Sequence, residues 1–270
     1  MSRETQQVKY IQAGTMKVEV HPSSREAGAA AAHATAEALV QLSKTRESIA
    51  VIFATGASQL DTLVALTGIE GLPWNKVLGF HLDEYVGISP DHPASFRLYM
   101  RERLVQKVRM RNFSEIDGNA SDAEQFAQEY AAKLRAADPQ LCLLGVGENG
   151  HLAFNDPPVA DFADPLDAKV VRLDAQCRQQ QAAEGWFDSV DLVPERAITL
   201  TIPTLLRVPK LIVSVPGRRK AKIVRRALEE ETSTACPATI LRSHPDVTMY
   251  LDSESAGELQ EVLAPMNLVS

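Results

Sequence analysis

Four short stretches of the chain bring reactive side chains together with glycine: Thr55-Gly56-Ala57-Ser58, Asp83-Glu84-Tyr85-Val86-Gly87, Gly145-Val146-Gly147-Glu148-Asn149-Gly150-His151 and Pro216-Gly217-Arg218-Arg219-Lys220. The first has the makings of an anion loop. Gly56 permits a tight turn, Thr55 and Ser58 carry hydroxyl donors, and a helix starting there offers free amides with a partial positive charge. Ser58 could serve only as a helix cap, and Arg218-Arg219-Lys220 could be a solvated helix face. Lys220 at a second helix start tips the balance toward phosphate. Asp83 ends an apolar run, where removal from water raises a carboxyl pKa and suits it to general-base work. Strand alternation sends Glu84 to the opposite face, so the two acids need not share a site. His151, in a glycine-rich loop followed by Asn155 and Asp156, supplies an imidazole, the side-chain type best suited to proton transfer at working pH.

Gly145-x-Gly147-x-x-Gly150 formally matches a dinucleotide fingerprint, but that motif must open a helix. Here Pro157-Pro158 stops any helix almost at once. The glycines more plausibly let backbone amides approach a ligand while His151 projects into a pocket. His81, Asp83, His151 and Asp156 are residue types that ligate iron or zinc. Nothing else in their spacing is specific to a metal, so none is expected.

These clusters share one placement. Each follows a short apolar run that reads as a strand: Ser48–Ala54, Lys76–Leu82, Gln140–Leu144 and Lys210–Val215. Further strand-like runs are Met16–Val20, Lys169–Leu173, Ala197–Thr201 and Val247–Leu251. Helical patterns lie at 24–44, 58–66, 95–108, 122–137 and 218–230, with a last short helix expected after the final strand. Alternating strands and helices predict an α/β fold, a single doubly wound, mainly parallel sheet flanked by helices in a Rossmann-like three-layer arrangement. In such sheets ligands bind beyond the carboxyl ends of the strands. Residues 151–165 form the longest non-helical connection, with prolines at 157, 158 and 165, and long ordered loops in compact domains tend to be functional. No repeat, low-complexity tract or flexible linker interrupts residues 1–270, so one domain is expected.

Composition sets the outer bounds. The chain has 270 residues, with 45% hydrophobic and 23% charged, ordinary for a globular protein and against global disorder. Size scaling lets it bury roughly 73% of its extended surface without disulfides. A formal charge of −7 disfavours nucleic-acid or anionic-membrane partners, though a local basic pocket is compatible with it. Three dispersed cysteines, Cys142, Cys177 and Cys236, read as reduced thiols. No apolar run approaches the ~20 residues of a membrane span, and the first residues lack a signal-peptide pattern, so a cytoplasmic protein is expected.

Taken together the stretches resemble the glucosamine-6-phosphate deaminase/isomerase family. The matching segments are Phe80-His81-Leu82-Asp83-Glu84-Tyr85-Val86-Gly87, Asp91-His92-Pro93-Ala94-Ser95-Phe96, the run from Gly145 to Pro157, and Gly217-Arg218-Arg219-Lys220-Ala221. The similarity runs from about Val18 to near the C-terminus. The related 6-phosphogluconolactonases usually follow Gly-His with a different, Ser-containing sequence and are the second choice. The resemblance implies a hydrolase or isomerase that converts an amino-sugar 6-phosphate to a ketose 6-phosphate with release of ammonia. It implies Asp83 as the base that moves a proton between C2 and C1. His151 would open the sugar ring, oriented by Asp156, with Asn149 in the same catalytic group. It implies Thr55, Gly56, Ala57, Ser58 and Lys220 around the phosphate, with Glu84, Gly145 and Ala153 also contacting substrate. No cofactor and no metal are implied, and the expected partner is a small phosphosugar; a homo-oligomer is compatible with the pattern. A lactonase-like hydrolase or a catalytically silent sugar-phosphate sensor are the alternatives.

The chain also departs from the family. Asn149 stands where Asp or Asn is found, Asp156 where Glu is usual, Ala57 for a glycine and His81 for a common Asn. The segment 178–187 is lengthened, and the family's phosphate-binding arginine has no clear counterpart in it; Arg178, Arg218 or Arg219 could substitute.

Overall fold

A computed structural model of the chain describes residues 7–259. In chain order the strands are β1 (Lys9–Ala13), β2 (Met16–His21), β3 (Ile49–Phe53), β4 (Val77–His81), β5 (Asp83–Tyr85), β6 (Asn112–Ser114), β7 (Pro139–Leu144), β8 (Ala168–Arg172), β9 (Arg196–Leu200), β10 (Lys210–Ser214) and β11 (Val247–Asp252). The α-helices are α1 (Ser24–Ser43), α2 (Leu60–Thr67), α3 (Phe96–Met100), α4 (Ala123–Ala137), α5 (Ala175–Ala183), α6 (Ile202–Leu206) and α7 (Ala221–Glu229).

The main sheet has eight strands in the order β1-β2-β11-β10-β7-β3-β4-β6. From β2 to β6 every pairing is parallel; β1 alone runs antiparallel, as a hairpin partner of β2. All five residues of β3 are buried, and alternation divides them. Ile49, Val51 and Phe53 join the layer containing α1 and α2, while Ala50 and Ile52 join the layer containing α4 and α7. An apolar strand covered on both faces is what β-branched runs of this kind encode, and the α/β expectation holds.

Alternation could not show that three of the strands leave this sheet. β5, β9 and β8 form a second, antiparallel sheet, packed on an aromatic cluster of Tyr85, Phe96, Phe154 and Phe187. Asp83 therefore begins a strand of the smaller sheet, one residue after β4 has ended in the larger. The expected helix at 95–108 divides into α3 and a wider π-turn at Arg101–Val105. The short helix expected after the last strand has turns at residues 253–258 in its place, and residues from 260 on lie outside the described residues.

The topology dictates where a ligand can sit. From β3 the chain crosses by α2 to β4 on one side; from β7 it travels, through the second sheet, to β10 on the other. The carboxyl ends of the adjacent strands β3 and β7 thus part at a switch point, which leaves a crevice.

Candidate active site

That crevice is a cleft of about 630 Å³. Thr55 to Ser58 enter it from the end of β3, Asp83 from β5, Gly145 to Glu148 with His151 and Ala153 from the loop after β7, and Pro216 to Lys220 from the end of β10. Stretches separated by up to 165 residues in sequence meet in one depression, and the side chains of Asp83 and His151 open onto the same space.

Two similar turns form its basic end. Gly56 (φ 90°) and Gly217 (φ 93°) each precede a single 3₁₀ turn that runs into a helix, α2 and α7 respectively. Positive φ is the reason for glycine at both. The first turn is pinned by Tyr99, whose hydroxyl donates to the Gly56 carbonyl at 2.9 Å. The second is pinned by Asp252, whose carboxylate accepts from the Gly217 amide. Lys220 is only 8% exposed and, among the described residues, its ammonium makes no ion pair. Burial pushes its pKa down, opposed by Glu184 and Glu148. A buried cation facing an open cleft has the chemistry to receive an anion.

Asp83 sits across the cleft, 6% exposed. Burial first, and then the neighbouring Glu84, raise its carboxyl well above the usual carboxylate range. Register places Asp83 opposite Thr199 of β9, and the Thr199 hydroxyl accepts from the Phe154 amide at 3.0 Å. One cross-strand pair thereby ties the carboxylate to the loop carrying His151.

The His151 ring packs directly on Gly147, where an added Cβ would overlap the imidazole. Behind the ring, Nδ1 lies 2.8 Å from Asp156 Oδ1, close enough for strong attraction although the N–H is not well aligned with the oxygen. Asp156 is fully buried. Burial raises its pKa, but His151, Asn149 and the Asp174 amide together hold it below the ordinary value. Asn149 accepts from the His151 amide and donates to Asp156; it stands behind the imidazole, outside the cleft. Ala153 adopts φ 51°, a left-handed conformation that costs a non-glycine residue on the order of 1 kcal/mol and that clusters at functional sites.

Glu84 is a correction. It is buried away from the cleft, accepting from the amides of Tyr85, Phe96 and Arg97, the Ser95 hydroxyl and the Arg97 guanidinium. It anchors the start of α3 and is not among the residues that line the cleft. His81 likewise faces away: its Nε2 accepts from the Ile116 amide at 2.7 Å, and burial with the charge of Arg97 drops its pKa to about 3. The His81, Asp83, His151 and Asp156 ligand set is therefore not assembled. A different trio, His151, Asp156 and Cys177, brings three donor atoms within 4.8 Å of one another. Burial and the charges of Asp156 and Asp174 push the Cys177 thiol well up, which opposes the thiolate that a metal needs.

Of the arginines that could replace the family's, Arg178 is occupied by the carbonyls of Val190 and Val193, whereas Arg218 and Arg219 line the cleft. Sequence reasoning missed the cleft's far wall. There α5 contributes Gln180 and Gln181, with Glu184 just beyond its end, and Asp174 caps it by accepting from the Cys177 amide at 2.7 Å. An Asp directly before an Ala- and Gln-rich run was the available signal.

A parallel sheet with its polar cleft at the switch point places the chain among the Rossmann-like α/β proteins that hold small ligands at strand ends. Within that class the chain belongs to the family of glucosamine-6-phosphate isomerases/6-phosphogluconolactonase, whose family model matches residues 22–250. A glucosamine-6-phosphate deaminase of Exiguobacterium sibiricum is 36% identical over 217 residues, 80% of this chain and 83% of the relative. The solved structure of a monomeric glucosamine-6-phosphate deaminase superposes with a TM-score of 0.81 at 32% identity, covering 89% of this chain and 99% of that one. A 6-phosphogluconolactonase from Trypanosoma brucei shares the fold alone, with a TM-score of 0.72 at 20% identity over 90% and 98% of the two chains. No helix among the described residues is long and apolar enough to cross a membrane.

Proposed function

We propose that the cleft isomerises and deaminates glucosamine 6-phosphate, giving fructose 6-phosphate and ammonia. The observation that carries this is Asp83, a buried carboxylate with a raised pKa, sharing one cleft with the acid-backed His151 and the buried Lys220. Lys220, Arg218 and the Thr55–Ser58 turn hold the phosphate. His151 gives a proton to the ring oxygen as the pyranose opens. Asp83 takes the C2 proton of the open-chain aldose and returns it to C1 while a proton of the C2 ammonium passes to O1, leaving a hydroxyl at C1 and an iminium at C2. Water adds there and ammonia departs, so the oxygen of water becomes the ketone oxygen. Proton transfer by a positioned base contributes about 10²–10⁴-fold of rate, and none of these steps moves electrons to a redox partner.

The deaminase relatives support an enzyme acting on an amino-sugar phosphate. The hydrolase label that accompanied the expectation draws no support from their names; an isomerising deaminase does. Ammonia release from glucosamine 6-phosphate, measured beside acid release from 6-phosphogluconolactone, tests the reading. Ammonia without lactone hydrolysis is expected; lactone hydrolysis without ammonia would overturn it. In Asp83→Asn, turnover should fall by about 10²–10⁴-fold while phosphosugar affinity stays within about tenfold of wild type, an outcome that unchanged turnover would contradict.

A further inference from the structure

Asn149 cannot carry charge, yet it occupies the centre of the network behind His151. Its orientation is fixed: Oδ1 accepts from the His151 amide at 3.0 Å, and the two hydrogens of Nδ2 go to two carboxylates, Asp156 at 2.9 Å and Asp174 at 3.3 Å. Asp174 comes from a different part of the chain. Besides capping α5, it donates its own backbone N–H to Asp156 Oδ2 at 3.3 Å. One residue thus reaches the imidazole's partner twice, through its amide directly and through its carboxylate by way of Asn149.

We propose that Asp174 is a positioning residue for His151, supplying from the start of α5 the second negative charge that Asn149 lacks and so favouring the protonated imidazole. The inference rests on the proposed function only in taking the imidazolium as the acid that opens the sugar ring. The charged and titratable groups gathered here are Asp156 and Glu148 on the loop of His151, Cys177 on α5 with Asp174 and Glu184 at its two ends, Asp83 on β5, and Arg218, Arg219 and Lys220 before α7. Among the carboxylates, Asp83, Glu148 and Glu184 line the cleft and Asp156 touches the ring. Asp174 does neither, so its charge can be removed without altering a surface that substrate meets. The Cys177 thiol, held protonated between Asp156 and Asp174, adds no charge of its own.

Asp174→Asn and Asp174→Ser separate charge from structure, because Asn and Ser cap helices about as well as Asp. The His151 ring is followed by NMR across pH in the free protein, with no substrate present. Both variants should lower its titration midpoint by about 0.5–1 unit relative to wild type. In turnover, the alkaline limb of the pH profile should move to lower pH by the same amount, with kcat reduced several-fold and KM within twofold. An unchanged midpoint in both folded variants overturns the proposal, as would a midpoint that moves in one capping variant and not the other. The NMR midpoint decides even if no amino-sugar phosphate is turned over, so failure of the functional reading leaves this test standing.

Discussion

At the scale of single residues, Asp83 links stability to activity. Its carboxyl is raised well above the ordinary value by burial and by Glu84. Between the unfolded chain's pKa, about 3.9, and the higher folded value, the folded protein keeps a proton that the unfolded chain has released. Stability therefore declines as pH rises through that window, and above it the folded state carries a buried anion at a constant cost. Asp83→Asn removes that cost. The variant should melt above wild type at neutral pH while losing turnover, and melting curves from pH 5 to 8 check it; a lower Tm would show that the anion has partners that stabilise it. As the proposed base, Asp83 must be ionised to work, so wild-type activity should fail on the acid side at a higher pH than an ordinary carboxylate would allow. Asp83, His151 and Lys220 were legible in the sequence because each is a chemically unusual residue at a strand end. Glu84 was misread, although alternation already turned it from the cleft, since its five donors come from residues 85 to 97 and no spacing announces them. Asp174 was legible only as a helix cap: its place behind His151 depends on Asn149 and Asp156, which folding alone brings near.

At the scale of elements, the main sheet was readable and the second was not. β8 and β9 read as strands like those of the larger sheet, while β5, Asp83-Glu84-Tyr85, has no apolar alternation at all, and periodicity carries no label for which sheet a strand joins. The consequence is functional, because the small sheet holds α5 against the cleft. The Tyr85 hydroxyl, at the end of β5, donates to Gln181 Oε1 at 2.8 Å, and Gln180 Oε1 accepts from the Glu148 amide at 2.9 Å. These two bonds fix the far wall from two directions. Tyr85→Phe keeps the aromatic cluster and removes one of them, at a cost of about 1 kcal/mol. Hydrogen exchange should then speed up across residues 175–187 and stay unchanged in β3 and β7, with the KM for phosphosugar raised a few-fold. Uniform acceleration through the main sheet would mean instead that Tyr85 stabilises the fold as a whole and not this wall.

At the scale of the whole molecule, charge is distributed against its own sum. The chain carries a formal −7, yet the cleft collects Arg218, Arg219 and Lys220 at one end. Composition disfavoured a broad basic surface and left room for a local one, but only the fold places the Arg218-Arg219-Lys220 run, beside the turn that follows β3, inside the cleft. Because the basic end is built on two strands of the same sheet, an anion bound there joins elements that must separate on unfolding, and binding free energy becomes folding free energy. Inorganic phosphate at 100 times its Kd should stabilise the fold by about 2.7 kcal/mol, which for a chain near this size corresponds to a rise in Tm of about 5–10 °C. Lys220→Ala should lose most of that rise. It should itself melt no lower than wild type without phosphate, since burial of an unpaired ammonium disfavours the folded state. A phosphate-induced rise of equal size in the variant would place the anion elsewhere, and with it the end of the cleft from which the sugar must extend toward Asp83 and His151.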